Sequence, residues 1–331
     1  MEEREAAGAA RNAPDSVAPA AERLRCEGWW GIDQRDRETL VPLLRSGLAV
    51  GANLDYQKLG LKPALVLAHV RGKHCVWDVA GEGSFALRSY RSSSMHDVML
   101  AAIPSDFGAY ETFWRTKENV GLDAVSVRPL EDIRLLPVQI SSFNGERRSF
   151  DFAWDALPRR LFSEPDSRRR RWPFGRDTVL VLNEILRNPM AESLEGISRA
   201  TGVGLDRCKE AVGFVREFPL GWGFHGPEGS QSGFIAYYHP LREDVFGAVR
   251  AAVRNVPYAA LEAWGKDPAG FTYFAELVIP GEALAETMEF LGRVNSAAGD
   301  SFSGGIYQAS QLQSYPLSRR IADGPPGSVK P

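Results

Sequence analysis

Cysteine is scarce in this sequence: its 331 residues hold three, Cys26, Cys75 and Cys208. An odd, widely spaced count with no CxxC pair excludes a disulfide framework and points to a reducing compartment. No stretch approaches the ~18 apolar residues that a membrane span needs. The opening MEEREAAGAARNAPD is acidic and lacks an apolar centre, so no secretory signal is expected. Excess positive charge is also missing. The net charge is −3, so any contact with nucleic acid has to come from a local basic face. There is no GxSxG, no phosphate-binding loop and no dinucleotide fingerprint. The five histidines, His69, His74, His96, His225 and His239, show no HxxxH spacing, so no metal site is expected. No cofactor is expected either.

What is present is the composition of a soluble globular chain, 44% hydrophobic and 24% charged, long enough for two or more domains. A cytoplasmic location is expected. Residues 1–15 read as a loose tail and 318–331, rich in Pro and Gly, as another. Between them, 16–55 reads as a truncated helix-turn-helix: Ile32, Leu40, Leu43 and Leu44 fall on one helix side, Gly47 is a natural stop, and LAVGANLDY reads as a short extended wing. Residues 56–146 give strand, short helix, strand, strand, helix, strand. Residues 147–174 form a linker containing SFDFAWDALP and an arginine run. Residues 175–228 give three short helices with a glycine-bearing turn between the last two, the helix-turn-helix pattern, with Leu205, Cys208, Val212 and Val215 at core spacing. Residues 229–317 repeat the αβ order more plainly.

Internal repetition is the strongest inference from the sequence. DVMLAAIPSDFGAYETFW and FTYFAELVIPGEALAETMEFL share a strand, an Ile-Pro and then a helix. The fold class expected is α+β: winged helix-turn-helix units alternating with ferredoxin-like βαββαβ domains, produced by internal duplication. On ANLDYQKLGLKPALVLAHV, SSSMHDVMLAAIP and AWGKDPAGFTYFAELVIPG, the chain resembles a tandem, archaeal-type member of the Lrp/AsnC (feast/famine) regulators. At the turn where that family often carries Gly-x-x-Asp, Asp97 is present without the glycine, whereas the second half has Gly265 and Asp267.

The resemblance implies a non-enzymatic, DNA-binding transcriptional regulator modulated by a small effector such as an amino acid. Double-stranded DNA would be its partner, and no membrane is involved. A recognition helix enters the major groove with the side chains of its front face. That points to Leu205, Asp206, Arg207, Lys209, Glu210 and Arg216, with Arg207 the best base or phosphate contact and Arg199 on the preceding helix a phosphate contact. The alternative is a solvated mixed-charge face, since Asp206 and Glu210 dilute the basic signal. Arg168, Arg169, Arg170 and Arg171 would add a salt-dependent, sequence-blind attraction, or simply form a solvated linker. Effector binding near the two αβ turns would use Ser94, His96, Asp97, Gly265 and Asp267, against the plain reading of turn chemistry. The two αβ units can pair within one chain or between chains.

Two other classes compete. Sirohaem decarboxylases resemble the same arrangement and keep His and Tyr for the tetrapyrrole. FIAYYHP, with Tyr237, Tyr238 and His239, fits loosely, although their Tyr-Asn-x-Trp-Phe strand is missing. A sensor module with a decayed DNA reader is the third. His69, in an apolar strand, reads as a packed residue.

Overall fold

The computed structural model describes residues 34–45, 49–54, 56–57, 59–70, 76–92, 97–104, 106–117, 122–136, 143–144, 149–150, 175–187, 193–217, 221–225, 231–299, 302–318 and 321. Of the first helical unit these include α1 (Gln34–Arg45), whose Leu40 is fully buried, and β1 (Ala49–Asn53).

The first αβ unit follows the expected order. It consists of β2 (Lys62–Val70), the single-turn α2 (Val76–Ala80), β3 (Ala86–Ser92), β4 (Asp97–Ile103), α3 (Phe107–Lys117), β5 (Leu122–Pro129) and β6 (Asp132–Leu135). All seven residues of β4 are buried, as a continuous apolar run covered on both faces requires. On α3, Tyr110 and Trp114 lie one turn apart on the buried side, and the Tyr110 hydroxyl donates to the Ser84 carbonyl at 2.5 Å. Two short strands, β7 (Phe143–Asn144) and β8 (Ser149–Phe150), pair antiparallel, the second lying within the segment expected as a linker.

Three helices come next: α4 (Arg176–Arg187), α5 (Leu194–Thr201) and α6 (Leu205–Glu217). The sequence sets their boundaries by capping. The Ser193 hydroxyl accepts from the Gly196 N–H at 3.0 Å, and Gly202, at φ 71°, closes α5 in the left-handed conformation that a glycine adopts without strain. Val179, Leu182, Ile185, Ile197, Cys208 and Val212 fill the space between the helices. Leu205, expected at core spacing, is instead 46% exposed, at the first residue of α6. β9 (Gly221–His225) follows and pairs antiparallel with β1, so the extended segments after the two helical units hold each other.

The second αβ unit is β10 (Gln231–Leu241), α7 (Glu243–Arg254), β11 (Ala259–Asp267), β12 (Gly270–Pro280), α8 (Leu284–Ala298) and β13 (Ser303–Ser314). In each half the strands lie in the order fourth, first, third, second, the split βαβ arrangement.

The two halves form one nine-stranded sheet, β5-β2-β4-β3-β13-β10-β12-β11-β6. β13 pairs first with β10 of its own half and then, past a register shift, with β3 of the other. The first half does the same: β5 pairs with β2, the chain bends, and β6 pairs with β11. At the bend the Leu130 N–H donates to Pro63 and the Glu131 N–H to Trp264, at 3.0 and 2.7 Å. The two ends of the strand order are thus consecutive pieces of one bent segment, and the ring closes through the backbone. Gly265 makes room for this bend. A Cβ there would lie 2.4 Å from the Pro129 oxygen and 2.6 Å from the Leu130 Cα.

Beneath α7 a second cross-half contact is electrostatic. The fully buried Glu262 carboxylate accepts two hydrogen bonds from Arg250, at 3.2 and 2.9 Å. It also faces Arg254 at 3.5 Å and Arg134, from β6 of the first half, at 4.0 Å. Arg250 stacks on the Trp264 ring, 4.6 Å from its centroid.

Candidate functional site

Side chains on β10 alternate between two layers. Tyr238 points to the helices, its hydroxyl donating to Asn295 on α8 at 2.5 Å. Tyr237 and His239 point the other way, to the seam between the halves. His239 is 5% exposed, and its Nδ1 lies 2.9 Å from the Thr272 hydroxyl on β12. Its Nε2 lies 3.8 Å from Asp267 at the end of β11. That is too long for a hydrogen bond and leaves Nε2 beside a carboxylate without being bonded to it. Across the seam, Arg128 on β5 of the first half donates to the same Asp267 carboxylate at 3.0 Å, and its charge acts on the Tyr237 phenol. Asp267 is anchored from behind, accepting from the Ala269 and Gly270 N–H groups at 2.8 and 3.2 Å.

Burial, and after it the Arg128 charge, push the His239 imidazolium down from its ordinary value near 6.5, while Asp267 pulls the other way. The ring is therefore neutral at pH 7. A lowered folded value means that the unfolded chain takes up the proton first, so stability falls as pH drops below about 6.5. A buried neutral imidazole with one nitrogen fixed and the other beside a carboxylate is equipped to move a proton.

Of the residues expected at the αβ turns, Asp267 belongs to this cluster, whereas Gly265 is the crossing point of the bent strand. Asp97, 8% exposed, starts β4 on the other side of the seam. With Arg91, Gln311 and Gln313 it lines a small cleft with about 10 Å³ of free space, room for about one water molecule. Ser94 and His96 lie outside the described residues. His69, expected to be packed, is exposed at the end of β2.

The three-helix unit presents Arg199, Leu205, Asp206, Arg207, Lys209 and Glu210 to solvent, so the expected reading face exists as a surface. Its charges are mixed in sign, with Asp206 and Glu210 among Arg207 and Lys209. Arg216 is in the last turn of α6, with its side chain outside the described residues, as are Arg168, Arg169, Arg170 and Arg171.

Sequence reasoning singled out His239 only in passing, with Tyr237 and Tyr238, and missed Arg128 and Thr272 as its neighbours. One signal was available: strand 64–70 laid on strand 234–240 puts one histidine over another. The registers agree. Ala64 faces Pro129 and His69 faces Ala124 in the first half; Phe234 faces Gln308 and His239 faces Ser303 in the second.

No family model matches the chain, and no curated protein matches it. Among solved structures it is similar to the siroheme decarboxylase NirDL in co-complex with an iron-uroporphyrin III analogue. The identity is 10%, over 88% of this chain and 87% of that one, with a TM-score of 0.47. A second structure of NirDL matches at 9% identity over the same shares, with a TM-score of 0.44. The expectation that the chain is not an enzyme is withdrawn on this finding, because the solved chains that it resembles over most of their length are of an enzyme.

Proposed function

We propose that the chain is an enzyme that moves a proton at the seam of its two αβ halves, acting as a decarboxylase on a carboxylate-bearing tetrapyrrole of the sirohaem type. The observation that carries this reading is His239: buried, neutral, its Nδ1 fixed by Thr272 and its Nε2 facing Asp267 without a bond. Decarboxylation breaks the bond between an acetate methylene and its carboxylate. CO2 leaves, and the carbanion left behind takes up a proton. Nδ1 is held by Thr272, which leaves Nε2 as the working nitrogen: it takes up a proton from solvent, Asp267 stabilises the resulting imidazolium, and Nε2 then delivers that proton to the carbanion and the ring returns to neutral.

The test is anaerobic incubation of the purified chain with sirohaem, followed by absorption and by mass spectrometry. The expected result is a shifted pigment band on binding and product masses short of one or more CO2. His239→Gln is expected to bind the pigment and slow the reaction about a hundredfold, the lower end of what a general acid contributes. No pigment binding and no loss of CO2 would sink the reading.

A second reading rests on the capped three-helix unit with Arg199, Arg207 and Lys209 exposed: a helix-turn-helix that binds duplex DNA. Here binding to the chain's own upstream DNA should weaken as salt rises, and Arg207→Ala should cost about 1–3 kcal/mol if it meets a base edge. Equal affinity for a scrambled duplex would count against it.

A further inference from the structure

The two histidines at matching register positions do not have matching surroundings. When β2 and β5 are laid on β10 and β13 by their strand registers, His69 coincides with His239, and Arg128 coincides with Tyr307. His69 is exposed and His239 is buried. The guanidinium that reaches the second-half carboxylate thus has a phenol as its counterpart. The groups around His239 come from four strands besides its own Tyr237 neighbour on β10: Arg128 from β5, Asp267 from β11, Thr272 from β12 and Tyr307 from β13, the last acting on Tyr237.

We propose that Arg128 is a positioning residue contributed by the first half. Acting through Asp267, it sets the place and charge of the groups facing His239, so that the chain holds one complete histidine–carboxylate–guanidinium site at the seam. This rests on His239 being the working group of the proposed function, and names what the duplication adds to it. The physical argument is geometric. The Asp267 carboxylate has a turn on one side, where it accepts two backbone N–H bonds, and a cation on the other. Removing the cation leaves the carboxylate on its turn but takes away the bond that orients it, and it takes a positive charge from beside the imidazole. The tandem arrangement then has a function of its own, since neither half contains the whole set.

The experiment follows the ring protons of His239 by NMR titration of the full chain, the resonance being assigned by its absence in His239→Gln. In Arg128→Gln the midpoint should rise by about half a pH unit or more, because a neighbouring positive charge has gone while Asp267 remains. Arg128→Lys should return it most of the way, which a purely steric role would not do, and Asp267→Asn should lower it. Circular dichroism confirms that each variant is folded, and the lysine variant keeps the test open should the glutamine variant fail to fold. An unmoved midpoint in folded Arg128→Gln, or no return with lysine, overturns the proposal. The titration needs no substrate, so it stands or falls separately from turnover of the tetrapyrrole.

Discussion

Glu262→Gln is expected to cost about 3–5 kcal/mol of folding stability, the range for breaking a buried ion pair from one side. Glutamine has nearly the same volume, so the effect is one of charge and not of packing. The carboxylate is 0% exposed and serves Arg250, Arg254 and Arg134, whose side chains are themselves mostly covered. Replacing it leaves three guanidiniums facing a neutral amide, with little water available to screen them. Arg250 and Arg254 belong to α7 and Arg134 to the first half, so the loss should loosen the helix and the seam together. A thermal scan should show a fall of roughly 4–7 °C. The exposed pair of Arg115 and Glu111 on α3 is the control: Glu111→Gln should change stability by no more than about 0.5 kcal/mol. A loss below about 1 kcal/mol for Glu262→Gln would mean that water reaches the cluster and that it does not pin the halves.

Gly265→Ala should cost about 3 kcal/mol, the upper end for overpacking, although it adds a single methyl group. Both atoms that the new Cβ would meet, at 2.4 and 2.6 Å, are backbone atoms of Pro129 and Leu130. Neither can turn aside as a flexible side chain would. The Glu131 N–H beside them is already bound to Trp264 at 2.7 Å, so the clash is relieved only by parting β6 from β11. Hydrogen exchange should therefore speed up at Glu131 and along Asp132–Leu135 before it does elsewhere. Gly247→Ala on α7, where a Cβ meets nothing within 4 Å, should be neutral or stabilising by up to about 1 kcal/mol. Equal effects at the two positions would contradict the crossing.

The order of elements was legible because each αβ half writes its strands in apolar runs and its helices in spaced apolar faces. β4, α3 and the capped α5 begin and end close to where Asp97, Asp106, Ser193 and Gly202 indicate. The strand exchange was not legible. The last strand expected in 56–146 reads as one element, and nothing in Pro129 or Leu130 states that the chain leaves its own sheet there. The site was hidden for the same reason. Arg128, Asp267 and His239 are far apart in sequence, and their meeting depends on that exchange. By resemblance, Asp267 and Gly265 are expected at an effector site near the turn, against the plain reading of turn chemistry. One proved to be the anchor of the cluster and the other the gap through which the bend passes.

The pairing of β13 with β3 also has a consequence in time. Arg91 and Ser310 are joined by a hydrogen bond although 219 residues separate them. On a ribosome adding about 5–20 residues per second, the first half emerges with the outer edge of β3 unpaired and waits roughly 10–45 s for the strand that covers it. During that interval its unsatisfied N–H and C=O groups face whatever is nearest, including a neighbouring nascent copy on the same message. The chain's yield in the cell is then governed by how that edge is sheltered during synthesis, and slowing translation after the first half should lower it.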